Sequence, residues 1–164
     1  MNENIKELIL EILEQNSKIT NKEISIMLGI DEYKVLEYIK ELEDDKVIVK
    51  YNTIINWEKT EKDVVQAIIE VKVTPQRGVG FDAIAKRIYK FPEVKAVYLL
   101  SGNYDLHVIV EGKTMKDIAH FVGSKLAPLE YVLSTATHFI MKKYKDAGII
   151  LDDEEKDDRE VITL

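Results

Sequence analysis

The chain has 164 residues, 46% of them hydrophobic and 32% charged, with 23 Lys+Arg against 30 Asp+Glu and no cysteine. That length suits one ordinary domain or two small ones, and the lack of cysteine excludes a disulfide framework, a thiolate metal site and a thiol nucleophile. No run approaches the roughly 18 apolar residues of a membrane span and no apolar segment follows a basic start, so a cytoplasmic protein without a membrane partner is expected.

Charge is uneven along the chain. Residues 1–57 carry 7 lysines against 12 acidic residues, residues 58–151 carry 14 basic against 11 acidic, and residues 152–164 carry 2 basic against 7 acidic. The run Asp152-Asp153-Glu154-Glu155-Lys156-Asp157-Asp158 has too little apolar surface to fold, so 150–164 reads as an acidic, disordered tail.

The first 57 residues carry three helical patterns. Ile5, Leu8, Ile9, Ile12 and Leu13 recur at i, i+3, i+4, i+7 and i+8, one apolar face of a first helix. Thr20 with Glu23 three residues on is a capping box, and Ile19 with Ile24 a hydrophobic staple, opening a second helix that stops at Gly29. Asp31 caps a third helix over 31–44 whose buried side reads Val35, Ile39 and Leu42. Lys46-Val47-Ile48-Val49-Lys50-Tyr51 then reads as a strand leading into a β wing.

Two short helices joined at a glycine turn and packed on a longer one make a helix-turn-helix, winged by the strands that follow. The pattern predicts a DNA-binding domain over 1–57 and a linker over 58–63. Its third helix would enter a major groove and expose Glu32, Tyr33, Lys34, Glu37, Tyr38, Lys40 and Glu41. The candidate DNA contacts are Tyr33, Lys34, Tyr38, Lys40, Lys46 and Lys50. No arginine precedes Arg77, so the bidentate arginine on guanine is missing from this helix and phosphate neutralisation falls to lysines, which dimerisation would double. The competing reading is a winged three-helix unit that binds a protein, or nothing, instead of DNA.

From Val64 the period changes to two. Val65, Ala67, Ile69, Val71 and Val73 fall on one face, and Gln66, Glu70 and Lys72 on the other with an exposed Ile68. A helix over about 81–89 burying Phe81, Ile84, Ala85 and Ile88 follows, then a strand over 94–100. After Ser101-Gly102-Asn103 the order repeats: a strand over 104–111, a helix capped at Thr114 that buries Ile118, Phe121, Val122 and Leu126, and a strand over 132–141. This is βαββαβ over 64–149, a four-stranded antiparallel sheet with both helices on one face. The whole chain is therefore α+β. The other sheet face invites a second subunit.

Gly102-Asn103 tolerates the backbone of a tight hairpin, which leaves N–H groups and the Asp105 carboxylate together at its end. Such a pair suits a small zwitterion; alternatively Asp105 only steadies the turn. Gly78-Val79-Gly80-Phe81-Asp82-Ala83 matches a dinucleotide fingerprint, but the sheet is too small and no acidic residue ends the next strand, so it reads as a glycine-flanked helix start.

A winged helix-turn-helix followed by βαββαβ, with Ser101-Gly102-Asn103-Tyr104-Asp105-Leu106 at the central hairpin and Ser134-Thr135-Ala136-Thr137-His138-Phe139 in the last strand, resembles the Lrp/AsnC family of feast/famine transcriptional regulators over residues 3–145. The resemblance implies a sequence-specific regulator of double-stranded DNA, a homodimer assembled into an octamer of four dimers, sensing an amino acid without cofactor, metal or catalytic residue. It implies an effector site at Leu100, Ser101, Gly102, Asn103, Tyr104, Asp105 and Leu106, with Thr135, Ala136 and Thr137 of a neighbouring subunit. Asp105 would take the effector's ammonium, and backbone N–H groups and threonine hydroxyls its carboxylate. The third helix departs from the family, which commonly carries basic residues where this chain reads Tyr38-Ile39-Lys40-Glu41. Two rivals are a ligand-sensing oligomer that has lost DNA binding and an enzyme like the siroheme decarboxylases, to which His107, His120 and His138 invite comparison. The enzyme would want more than Arg77 and Arg87 for a substrate with many carboxylates.

Overall fold

A computed structural model of the protein describes residues 2–74 and 80–151. The chain divides into two compact units, Met1–Ile54 and Ile55–Leu164. The division falls three residues before the expected end of the first domain at 57.

The first unit is three helices, α1 (Asn2–Gln15), α2 (Asn21–Leu28) and α3 (Glu32–Asp44). Ile9, Ile24, Val35, Tyr38 and Ile39 form its core, with Ile5, Ile12, Leu13, Ile19, Leu28, Ile30 and Ile48 packed around them. The expected capping box is in place. The Glu23 N–H donates to Thr20 Oγ1 at 3.2 Å and the Thr20 N–H donates to Glu23 Oε2 at 2.8 Å. Gly29 ends α2 at φ 64°, and the Tyr33 N–H donates to Asp31 Oδ1 at 2.8 Å at the start of α3.

The Thr20 bonds hold the Glu23 carboxyl below its ordinary value, its bond from the Thr20 backbone contributing most. Thr20→Ala should cost about 1 kcal/mol, the usual worth of a lost N-cap, read as a lower midpoint in urea denaturation. A carboxyl whose folded pKa is depressed contributes above its unfolded pKa, and the contribution disappears as pH falls through the folded one. Thr20→Ala keeps the backbone bond and loses the hydroxyl's, so the gap between the wild type and the variant should narrow by the hydroxyl's share alone as pH drops below the ordinary 4.5 of this group.

Two expectations for this unit are overturned. Tyr38, taken as a DNA contact, is 8% exposed and belongs to the core. Val35, Tyr38, Ile39 and Leu42 stand at i, i+3, i+4 and i+7, so the ring completes the apolar stripe of α3. The strand expected over 46–51 does not form. Lys46 adopts φ 61°, and the Val47 and Ile48 N–H groups both donate to Leu42 O at 2.9 Å, closing the end of α3. Beyond that turn residues 49–56 run without regular structure, so the segment pairs in no ladder among the described residues.

The second unit includes a 3-10 turn at Trp57–Lys59, which straddles the expected boundary between the first domain and the linker over 58–63. Strands β1 (Val65–Val73), β2 (Val94–Leu99), β3 (Leu106–Gly112) and β4 (Val132–Phe139) form one antiparallel sheet in the order β2-β3-β1-β4. Helices α4 (Asp82–Ile88) and α5 (Met115–Phe121), the latter continued by a π turn over Val122–Leu126, cover one face. Ala67, Ile69, Val71 and Val73 from β1 and Leu106, Val108 and Val110 from β3 meet Ile84, Ile88, Ile118, Phe121 and Leu126 there. This is the predicted βαββαβ arrangement, and alternation in β1 sets which side faces the helices. On the opposite face Ile68 is half-buried, less open than its place among polar residues suggests.

The ordered chain runs past the expected end at 149. Strand β5 (Lys145–Asp146) pairs with β6 (Ile149–Ile150), the Leu151 N–H donates to Tyr144 O at 2.9 Å, and Asn56 Nδ2 donates to Leu151 O at 3.0 Å. Residues 150 and 151 are thus structured. The acidic run from Asp152 onward, Arg77, and Gly78 and Val79 of the glycine motif lie outside the described residues.

Candidate functional site

The face of α3 that the core leaves open carries Glu32, Tyr33, Lys34, Leu36, Glu37, Lys40 and Glu41, and beyond the helix Lys46 and Lys50 are exposed too. Tyr33 is 73% exposed. One acidic charge on this face is offset, because Glu41 pairs with Lys6 of α1, whose ammonium is held above its ordinary value chiefly by that bond. Sequence reasoning missed Leu36, which is 49% exposed. Its position outside the 35, 39, 42 stripe is the signal that could have found it, and an apolar side chain there suits a thymine methyl.

In the second unit the hairpin between β2 and β3 is fastened to β1 through Asp105. The Leu100 N–H donates to Asp105 O at 2.8 Å, and the Asp105 N–H donates to Val71 O at 3.1 Å. The Asp105 carboxylate accepts from the Val73 N–H at 2.9 Å through Oδ2 and from Lys72 Nζ at 3.3 Å through Oδ1. It steadies the hairpin through the neighbouring strand, whereas the sequence offered either a contact to a zwitterion or a bond within the turn.

Leu100, Ser101, Gly102, Asn103 and Tyr104 line a depression of about 290 Å³ together with Glu70 of β1. Leu106, expected among the effector contacts, is 1% exposed and packs into the core. It stands opposite Val71 in register and so takes the helix side of the sheet.

Thr135, Ala136 and Thr137 stand opposite Val71, Glu70 and Ile69. The two threonines therefore lie on the helix side at the edge strand, and Ala136 shares the open face with Glu70. None of the three lines the depression beside the hairpin of their own chain. A larger cavity of about 500 Å³ lies at the other end of β1 among Trp57, Val65, Met115, Ile140 and Leu151, and none of the expected effector residues lines it.

Beside the hairpin, Glu70 is the residue that sequence reasoning missed. His107 stands opposite it on β3, and His138 Nε2 lies 3.2 Å from its Oε2. Its nearness to the hairpin follows from a register joining residues more than thirty positions apart. Among the described residues no group of three or more His, Asp or Glu is placed to hold a metal ion.

Comparison with known proteins matches both units. Residues 3–49 match the model of a winged helix-turn-helix DNA-binding domain and residues 66–150 that of the Lrp/AsnC ligand binding domain. The chain is 49% identical over 156 residues, 94% of each chain, to the uncharacterized HTH-type transcriptional regulator YugG of Bacillus subtilis. It is 26% identical to the leucine-responsive regulatory protein of Haemophilus influenzae, over 87% of this chain and 86% of that one. Among solved structures, the transcriptional regulator NMB0573 of Neisseria meningitidis in complex with L-Met superposes with a TM-score of 0.69 at 26% identity, covering 90% of this chain and 94% of that one. The two domain matches in this order, with the helix-turn-helix and the antiparallel sheet backed by two helices, make the chain a member of the Lrp/AsnC family of DNA-binding transcriptional regulators.

Proposed function

We propose that this regulator responds to a free amino acid held at the β2–β3 hairpin. The observation that carries the reading is the 290 Å³ depression, which Leu100, Ser101, Gly102, Asn103 and Tyr104 of the hairpin line together with Glu70. It stands at the small end of ligand cavities, suited to one amino acid and not to a large cofactor. Hydroxyl and N–H donors meet a carboxylate, and an acidic side chain meets an ammonium. The L-Met complex of the Neisseria regulator supports this class of ligand. Calorimetric titration with each of the twenty L-amino acids tests it: at least one should bind, and silence across the panel overturns the reading.

The assembly proposed with it is a homodimer through the open sheet face, with four dimers joined at the hairpins into an octamer. In that arrangement Thr135, Ala136 and Thr137 of a neighbouring subunit complete the wall around Leu100–Tyr104. The protein then works in the cytoplasm on double-stranded DNA and catalyses no reaction. Light scattering should give a mass well above the 18.9 kDa of one chain at micromolar concentration. A monomer would overturn the assembly, whereas a dimer that assembles no further would leave DNA binding untouched but remove the octamer and weaken the shared effector site.

A further inference from the structure

We infer that Leu36, with Tyr33 one turn before it, reads thymine methyl groups in the major groove, so that base selection by this regulator rests on apolar contact. The exposed chemistry of α3 narrows the choice. Between Glu32 and Asp44 the helix holds no Arg, Asn, Gln, Ser or Thr. The bidentate arginine for guanine and the bidentate amide for adenine are therefore both missing from it. Lysine can bond to guanine, and glutamate can accept from the amino group of cytosine, but each is a single flexible contact on a helix where those charges also face phosphate. Thymine is the base that an apolar side chain distinguishes, through its C5 methyl.

Position and burial single out the two residues. Tyr33, Leu36 and Lys40 stand at i, i+3 and i+7, one stripe of α3, while Val35, Tyr38, Ile39 and Leu42 form the stripe turned into the core. Tyr33 is 73% exposed and Leu36 49%, against 8% or less for every member of the core stripe. Both fall near the start of α3, the end of a recognition helix that meets base edges. A half-open leucine on an otherwise charged side of a helix gives the domain little packing. Against a thymine methyl it would bury apolar surface on both partners in a groove whose remaining groups are polar. The stripe belongs to the first unit, and not to the sheet face through which the dimer is proposed.

Replacing thymine by uracil removes the methyl and leaves every hydrogen-bonding group of the base pair in place, so it isolates this contact. The probe is the tightest duplex that the wild-type protein selects from a random-sequence pool, with copies in which single thymines are replaced by uracil. Fluorescence anisotropy at fixed salt should find at least one thymine where uracil weakens wild-type binding about fourfold, the worth of one buried methyl group. At one such position or more, Leu36→Ala should bind the thymine and uracil duplexes alike, and Tyr33→Ala should do so at any that Leu36→Ala leaves sensitive. Leu36→Met, which keeps an apolar side chain, should retain the discrimination. Lys34→Glu should bind every duplex more weakly with an unchanged thymine-to-uracil ratio, which separates reading from phosphate contact. Should Leu36→Ala fail to fold, Leu36→Gln, a good helix former of similar length, takes its place and should lose the discrimination as well. Uracil tolerated by the wild type at every thymine would overturn the inference, as would discrimination kept at every position by the Leu36 variants. A pool from which no sequence is enriched would overturn it too, since α3 would then distinguish no base. None of these outcomes depends on the effector, so the amino-acid reading stands or falls separately.

Discussion

Binding of this protein to DNA should weaken about a thousandfold between 50 and 200 mM salt, as expected if roughly three lysines from each of two winged domains neutralise phosphates. The candidates are Lys34 and Lys40 on α3 and Lys46 and Lys50 beyond it, all exposed. With no arginine before Arg77, few strong base contacts stand behind this electrostatic term. Lys34→Glu should weaken binding to specific and random DNA alike and lower the slope of log K against log salt by about one per domain, two per dimer. Tyr38→Phe should leave the slope unchanged, because that ring is in the core and not at the groove. Fluorescence anisotropy across a salt series measures both, and an affinity indifferent to salt would refute groove binding by these lysines.

The parts legible in the sequence were those governed by local rules. The Thr20 capping box, the Thr114 N-cap, the Gly29 stop and the alternation of β1 each depend on residues a few positions apart, and all appear as read. Tyr38 was misplaced for a local reason too: tyrosine is polar at its tip, so it was assigned to the exposed face although its spacing from Val35 and Leu42 puts it in the apolar stripe. The strand expected over 46–51 failed on different grounds. Lys46–Tyr51 has strand-like composition, but a strand exists only with a neighbour, and composition does not report one.

The effector region divides the same way. The hairpin was visible because Gly102-Asn103 is a turn signal, whereas the approach of Glu70 and the attachment of Asp105 to Val73 depend on the β1–β3 register. That register joins residues about 35 positions apart in the chain, beyond what periodicity encodes. Leu106 belongs to the family motif by sequence, yet strand alternation sends its side chain to the core, so motif membership did not make it a ligand contact.

Asp105→Ala should lower stability by about 1.5–3 kcal/mol, the worth of a hydrogen bond to a charged group, and by more than the partner substitution Lys72→Met. The reasoning turns on which of the two Asp105 bonds is shielded from water. The bond from the Val73 N–H, at 2.9 Å, anchors the hairpin to the last residue of β1, which is 3% exposed. Without the carboxylate that N–H loses its acceptor at a mostly buried position. The Lys72 contact is longer, at 3.3 Å, and its ammonium-bearing side chain is 38% exposed, so it belongs with surface pairs worth about 0–1 kcal/mol. For a chain of this size the aspartate variant should melt roughly 5–10 °C lower and the lysine variant within about 3 °C of the wild type. Melts followed by circular dichroism, beside hydrogen exchange at the Val73 and Leu100 amides, measure both parts. Faster exchange at those two amides in Asp105→Ala alone is the expected pattern. Equal melting of the two variants would show that the ion pair, and not the backbone bond, fastens the hairpin to the sheet.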